Sequence, residues 1–439
     1  MAKQTDVNVV NIELWGRHIG YVAWDDNRGT SNFSYTKEFL QSNIQLSPFT
    51  MPLSDQVYSF PELSRDSYKG LPGLLADSLP DKFGMILIKE WLERQGRTLE
   101  SFSPIERLCY MGKRGMGALE YAPQLQQASW SDTQLELSSL VDLANKAIAQ
   151  KDQLSTNFSE DSAFNDILRV GTSAGGARAK AIIAWDQDTN EIRSGHIAHD
   201  KRFSNWLIKF DGVAENMDKE CADPLGFSKI EYTYYQMALK AGINMNETTL
   251  LKDGKLSHFM TKRFDRDGQG AKLHMQTLCA MRHFDFNIAG RHSYEEAMMT
   301  IQQLKLPHSS IVEQFRRMVF NAVLRNQDDH TKNISFLMNK RGEWSLSPAY
   351  DITYSYNPDE MWTSRHQMSI NGKREKFTKQ DFIAVAKKFN ISAVKYKQVF
   401  EQVSDTVRQW KVMATANDVN QEYITKIENI FRKELFAGN

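Results

Sequence analysis

Apolar and polar positions alternate at the start of the chain. Residues 7–15 and 18–24 are rich in β-branched side chains, run with a two-residue period and are parted by a short polar break, which predicts a β-hairpin. The period then lengthens. After the loop sequence GLPGLLADSLPDKFG at 70–84, the residues Met85, Ile86, Ile88, Trp91 and Leu92 stand at helical spacing over 85–94. A mixed α/β unit closing near Pro123 follows, then a polar connection at 123–134 and a helix at 135–149. A second unit opens with a Gly-rich turn at 171–180 and predicts strands at 179–185 and 205–210, a helix at 228–240, and a strand pair at 248–252 and 257–263. Beyond Arg266 strands nearly disappear, and 294–304, 311–324, 379–389, 394–410 and 417–435 predict helices. No internal repeat or low-complexity tract interrupts this order.

Composition narrows the class more than the function. With 439 residues the chain holds two or three folding units, at roughly 100–200 residues each. Lys and Arg number 54 and Asp and Glu 54, so no global field favours nucleic acid, although a local basic patch stays open. Cys109, Cys221 and Cys279 are scattered and match no zinc or disulfide spacing, so they read as small buried hydrophobes. No window approaches the roughly 18 apolar residues of a membrane span, and the first residues lack a secretory pattern, so a cytoplasmic protein without membrane contact is expected.

The densest chemistry lies at 326–333, NQDDHTKN, directly after the apolar helix at 311–324. Asp328 and Asn333 stand five apart, and Asp351 follows eighteen residues after Asn333, with a β-hairpin predicted between. That spacing is the one used for kinase phosphoryl transfer. The reaction needs one carboxylate to orient the attacking hydroxyl and take its proton, and hard oxygen ligands to hold Mg²⁺ against the phosphates. Asp328 fits the base, Asn333 and Asp351 the metal, and His330 and Lys332 add hydrogen bonds or charge. Asp and Asn also cap helices and close turns, and Asp328 with Asn333 alone does not separate the two readings. A zinc site lacks a complete ligand set.

Upstream residues weigh toward phosphate handling. The turn at 171–180, GTSAGGARAK, is rich in small residues whose backbone N–H groups can approach phosphate, though it is not a Walker A loop and plain Gly-rich turns are common. Lys209 lies in the apolar strand at 206–210, and Glu231 opens a helix twenty-two residues later. Their order matches the strand Lys and helix Glu pair that aligns ATP phosphates. Each taken singly has a simpler account, a snorkelling Lys and a Glu answering the helix dipole.

Together these residues resemble the HipA family, the serine/threonine-kinase toxins of bacterial type II toxin–antitoxin modules. The resemblance runs along nearly the whole chain. It is carried by GLPG at 70–73, ADSLPD at 76–81, GMGAL at 115–119, GTSAGGARAK at 171–180, KRFDR at 262–266, and Asp328, His330, Lys332 and Asn333 with Tyr350 and Asp351. It implies an α+β, protein-kinase-like two-lobed fold of HipA type. An N-terminal α/β subdomain would span 1–125, a kinase-like small lobe with the phosphate loop 126–270, and an all-α C-terminal lobe with the catalytic loop 271–439, with ATP between the lobes.

By the same resemblance Asp328 is the catalytic base, Asn333 and Asp351 hold Mg²⁺, and Lys209 contacts the nucleotide phosphates. Gly175, Gly176, Ala177, Arg178, Ala179 and Lys180 form the phosphate loop. Lys262, Arg263 and Phe264 line the adenine, partly through backbone, with His330, Lys332 and Tyr350 close to the nucleotide. Ser173 corresponds to the serine that the family phosphorylates on itself, with Thr172 a competing acceptor. A phosphoserine there would put about two negative charges where ATP phosphates bind, so self-inactivation is expected.

Two positions and one segment depart from the pattern. Asp329 places a second acid beside the base, where like-charge coupling would alter its pKa. Lys262 stands where an acidic hinge residue is expected, and 278–286 matches only loosely. The implied partners are a HipB-like DNA-binding antitoxin, operator DNA through that complex, and a protein substrate such as an aminoacyl-tRNA synthetase. Lys373, Arg374, Lys376, Lys387 and Lys388 form basic clusters, of which Lys387 and Lys388 are the candidate DNA contacts; a solvated helix face explains them more simply. A small-molecule kinase on this scaffold, or a catalytically silent partner in a DNA-bound repressor, are the competing readings.

Overall fold

The computed structural model describes residues 7–125, 134–149, 161–172, 178–196, 200–213, 225–267 and 270–436. Three antiparallel sheets organise them. The first has the order β3-β2-β1-β4, from β1 (Val9–Leu14), β2 (Arg17–Asp25), β3 (Thr30–Tyr35) and β4 (Leu119–Ala122). Strand β1 shows why alternation predicts it: Val10, Ile12 and Leu14 are buried while Val9 is half exposed. Sequence patterning misses β3 and β4, whose polar residues (Thr30, Ser31, Asn32, Ser34, Glu120) blur the two-residue period.

The second sheet, order β6-β5-β7-β9-β8, comprises β5 (Lys180–Asp186), β6 (Ile192–Ser194), β7 (Phe203–Lys209), β8 (Thr248–Asp253) and β9 (Leu256–Lys262). One face packs against helices Leu137–Ala149 and Asp161–Gly171, and against helix Lys82–Glu93, although that helix precedes the last strand of the first sheet. Asp81 starts helix Lys82–Glu93 by accepting from the Gly84 N–H at 2.7 Å, and Phe83, Leu87, Ile88 and Leu92 form its buried stripe. Each such side chain contributes about 1.5–3 kcal/mol of burial, offset by the entropy of ordering it.

Helices dominate after residue 277, around one small sheet of order β10-β11-β12: β10 (His274–Thr277), β11 (Ser335–Met338) and β12 (Trp344–Leu346). The hairpin read between Asn333 and Asp351 is β11 and β12. Helix Phe227–Lys240 belongs to two layers at once. It follows β7, and its Phe227, Ile230, Tyr234, Met237 and Ala238 enter the core of the C-terminal helices, with Tyr234 Oη donating to Leu324 O at 2.7 Å. This placement aims Glu231 back at the second sheet. Among the described residues no helix is long and apolar enough to cross a membrane. Cys109 and Cys279 are buried free thiols, as read, and Cys221 lies outside the described residues.

Candidate active site

The chemistry-bearing loop begins where helix His308–Leu324 ends. Arg325 takes a left-handed φ of 61° and stops the helix, so the chain turns sharply into Asn326. A single 3₁₀ turn, Thr331–Asn333, then feeds β11. Within the loop Asn333 Nδ2 donates to the Asp328 carbonyl at 2.8 Å, closing residues 328–333 on themselves. Tyr350, at the far end of the hairpin, clamps the loop from outside: its hydroxyl donates to Lys332 O at 2.5 Å and lies 2.5 Å from Ser335 Oγ. Asp351 follows with φ at 51°, a left-handed conformation that Asp tolerates better than most residues and that turns the next stretch back toward the loop.

The charged centre forms between the sheet and this loop. Lys209, at the end of β7, places Nζ 2.5 Å from Glu231 Oε1 and 2.5 Å from Asp351 Oδ1. Glu231 is fully buried and also receives Arg178 Nη1 at 3.0 Å. In the β5–β7 register Lys180 stands directly opposite Lys209, and it too is buried. Two like charges facing each other across strands repel, so the pair needs an anion close by. Asp351 acts on both lysines, with Asp81 acting more strongly on Lys180 and Glu231 pairing with Lys209. Burial alone would raise the pKa of Asp351, yet the Lys209 and Lys180 cations outweigh burial and hold it at about 2. Burial drives Lys180 below the usual lysine range, while for Lys209 Asp351 and Glu231 overcome burial and raise it.

Asp328 lies at the edge of this centre, its side chain 38% exposed, with Trp362 Nε1 donating to Oδ1 at 2.7 Å and His330 Nε2 3.7 Å from the same oxygen. Asp329 points the other way. Its carboxylate, 2% exposed, accepts from Tyr294 Oη at 2.7 Å, from the Gln367 N–H at 2.8 Å and from His366 Nδ1 at 2.7 Å. Arg432 Nη1 donates to His366 Nε2 at 2.8 Å, which leaves Nδ1 to carry the proton toward Asp329. The acid expected to couple to the base is instead an internal anchor, because consecutive loop residues face opposite sides.

The residues expected on the adenine side lie at the end of β9 and just beyond it. The Arg263 guanidinium is fully buried and bound through Nε and Nη2 to Asp265 at 2.8 and 2.6 Å, which turns this side chain into the protein. Its backbone N–H is also taken, by Asn205 O at 2.9 Å. Lys262 is half exposed and pairs with Glu247 at 3.1 Å, while the Phe264 ring lies 5.5 Å from that of Tyr350. Lys332 sets its Nζ 4.4 Å over the Phe286 ring. Ala179 is buried beside β5. Ser173, Gly175, Gly176 and Ala177 lie outside the described residues.

Residues 172–410 match the model of the HipA-like C-terminal domain, and residues 10–122 that of the HipA N-terminal domain. The chain belongs to the HipA family. The HipA of Shewanella oneidensis MR-1, solved with HipB and its operator DNA, superposes with a TM-score of 0.66 at 16% identity, over 97% of this chain and 96% of that one. That likeness carries the fold, which is α+β and of HipA type. A protein of Sinorhizobium fredii NGR234 named "Putative kinase Y4dM" is 27% identical over 172 residues, 38% of this chain. The chain spans about 40% of the length of this curated relative.

With the HipA fold in view, the N-terminal signatures acquire positions. Asp77 accepts from Thr277 N at 2.7 Å and Thr277 Oγ1 at 2.8 Å, and Thr277 caps helix Leu278–Arg282. Gly73 N donates to His283 Nε2 at 3.0 Å. Gly117, at φ 77°, donates its N–H to Asp265 at 2.6 Å, and a Cβ there would meet Met275 N at 2.8 Å. The signatures therefore bind the N-terminal part of the chain to segment 262–266 and to the helical C-terminal part.

Among the described residues no three His, Cys, Asp or Glu side chains gather into an all-protein cage. Mg²⁺ commonly takes one or two protein oxygens and completes its shell with phosphate and water, which the Asp351 carboxylate and Asn333 Oδ1 fit. Both residues line one narrow cavity with His330 and Tyr350, and the Asn333 amide nitrogen is already committed to Asp328 O. On the basic face, Lys373 pairs with Asp381 at 2.9 Å, and Lys387 and Lys388 sit exposed at the C-terminus of helix Lys379–Lys388, where they answer its dipole. The residues that periodicity and motif spacing missed are Trp362, Tyr294 and His366; none lies in a charged motif.

Proposed function

We propose that this HipA family protein is a Mg·ATP-dependent protein serine/threonine kinase and the toxin of a type II toxin–antitoxin module. The observation that supports it most is Lys209 spanning Glu231 and Asp351 at 2.5 Å each, beside a loop bearing Asp328 and Asn333. In this reading Lys209, Lys180 and Arg178 neutralise nucleotide phosphate, and Glu231 keeps the first and last of them in register. Asp328 accepts the proton of the acceptor hydroxyl as its oxygen attacks the γ-phosphorus, and the bond from that phosphorus to the β–γ bridging oxygen breaks, releasing ADP. Asn333 and Asp351 would hold Mg²⁺, which when bound would add to the charge neutralisation of the phosphates. Phosphorylation of Ser173 within the phosphate loop shuts the site by charge, and a HipB-like antitoxin bound to operator DNA restrains the toxin. The substrate is a translation component of the aminoacyl-tRNA synthetase kind.

The test is incubation with Mg²⁺ and γ-labelled ATP, followed by phosphosite mapping, with Asp328→Asn and Ser173→Ala in parallel. Label on Ser173 that vanishes in Asp328→Asn is the expected result. A chain of unmodified intact mass that takes no label and binds no ATP would sink the kinase reading. Transfer to small hydroxyl compounds but to no protein in a lysate would point to a small-molecule kinase.

A further inference from the structure

The stretch 352–367 returns from Asp351 along the catalytic loop and is tied to it on both sides of the base. Asn326 forms a parallel bridge with Ser355, and the Gln327 N–H donates to Ser355 O at 3.2 Å. Gln327 Nε2 donates to Thr363 O at 2.9 Å, and the Gln367 N–H donates to Asp329 Oδ1 at 2.8 Å. Between these ties the stretch sets one side chain on the base itself: Trp362 Nε1 donates to Asp328 Oδ1 at 2.7 Å. The His330 ring flanks the indole, with centroids 6.4 Å apart.

From this we infer that Trp362 is a positioning residue for Asp328, an inference that rests on the kinase reading above. A carboxylate 38% exposed at a loop edge has rotamers to lose, and a general base works only when held within hydrogen-bond reach of the proton it takes. A charge-assisted N–H bond to one oxygen selects a single orientation. The indole also suits the place chemically. It is a donor only, so it holds the carboxylate without taking its proton, and it carries no hydroxyl that would compete with the acceptor for phosphate. A serine or threonine in the same position would be a substrate in its own active site. Neighbouring Met361 is 90% exposed, which makes it a control in the same segment.

Two measurements on the full chain test this. The first is the indole N–H spectrum of protein labelled with ¹⁵N-tryptophan, which has nine tryptophans. The signal lost in Trp362→Phe should be the one that moves in Asp328→Asn, and an unmoved signal overturns the contact whether or not phosphate is transferred. The second is steady-state transfer. Trp362→Phe keeps the ring and loses the donor, so kcat falls about tenfold, a fraction of the whole general-base contribution, while KM for Mg·ATP stays within twofold. Trp362→His, which restores a ring N–H, recovers part of the loss, and Met361→Ala matches wild type. An active wild type whose Trp362→Phe variant keeps full kcat overturns the inference alone. A wild type that transfers nothing overturns the kinase reading and this inference with it.

Discussion

Lys209 is the residue on which most of the site's charge depends. It is the shared partner of a fully buried Glu231 and of Asp351, and replacing it by an apolar side chain takes one of two cations from the first and loosens the second. Lys209→Met should lower phosphate transfer at least 100-fold. It should also cost about 2–3 kcal/mol in urea unfolding, below the 3–5 of a buried pair broken outright, because Arg178 still holds Glu231. Wild-type transfer in that variant would contradict the assignment. The spacing of Lys209, Glu231, Asp328, Asn333 and Asp351 was legible in the chain because each motif is local. The fates of Asp329 and Arg263 were not. Which way a loop carboxylate or a hinge guanidinium points depends on partners such as Tyr294, His366 and Asp265, and no periodicity marks them.

At the scale of elements, helix Gly73–Ala76 meets helix Leu278–Arg282 at one close contact. A Cβ on Gly73 would lie 2.3 Å from Ala280 O and 2.7 Å from the His283 ring. Gly73→Ala should therefore destabilise the protein by about 1–3 kcal/mol or more, read as a lowered thermal midpoint, because backbone has to retreat. It should also reduce transfer, since Leu278 N donates to Ile334 O at 2.7 Å and Ile334 follows Asn333. An unchanged midpoint would show that the two helices are not in contact in solution. Helix positions were readable wherever an apolar stripe or cap was clear, as over 85–94 and 294–304. Their ends were less so: the long helix starts at His308 rather than 311, because Pro307 and polar residues open it. Helices Pro104–Met111 and Asp161–Gly171 were missed; the first is only eight residues long and set by the Ser103–Glu106 capping box.

Across the whole molecule, the first sheet and the helical C-terminal part share a core. Cys279 and Met338 pack into the cluster of Val10, Ile12, Leu14 and Leu75. The buried Asp265, gripped by Arg263, Arg266 and the Gly117 N–H, closes the same junction beside the hinge. Burial pushes its pKa up, but the two guanidiniums outweigh burial and hold it well below the usual carboxylate range. The folded state thus binds this proton less readily than the unfolded chain, whose Asp titrates near 3.9. The stabilisation is complete above about pH 4 and is lost as pH falls from there toward the folded value. Asp265→Asn should cost about 2–4 kcal/mol at pH 7 and show a smaller loss of urea midpoint between pH 7 and pH 3 than wild type. An equal loss in both would remove Asp265 from the acid response. Seen at this scale, strand and helix periods, the order of charged motifs and the family signatures were all present in the linear chain, since each is written within a few residues. Packing alone fixed that Gly117 serves Asp265, that Asp77 holds Thr277, the cap of a helix two hundred residues away, and that an indole at 362 reaches the carboxylate at 328. Those choices follow from the complementary surfaces of segments far apart in the chain, and such surfaces exist only once the chain is folded.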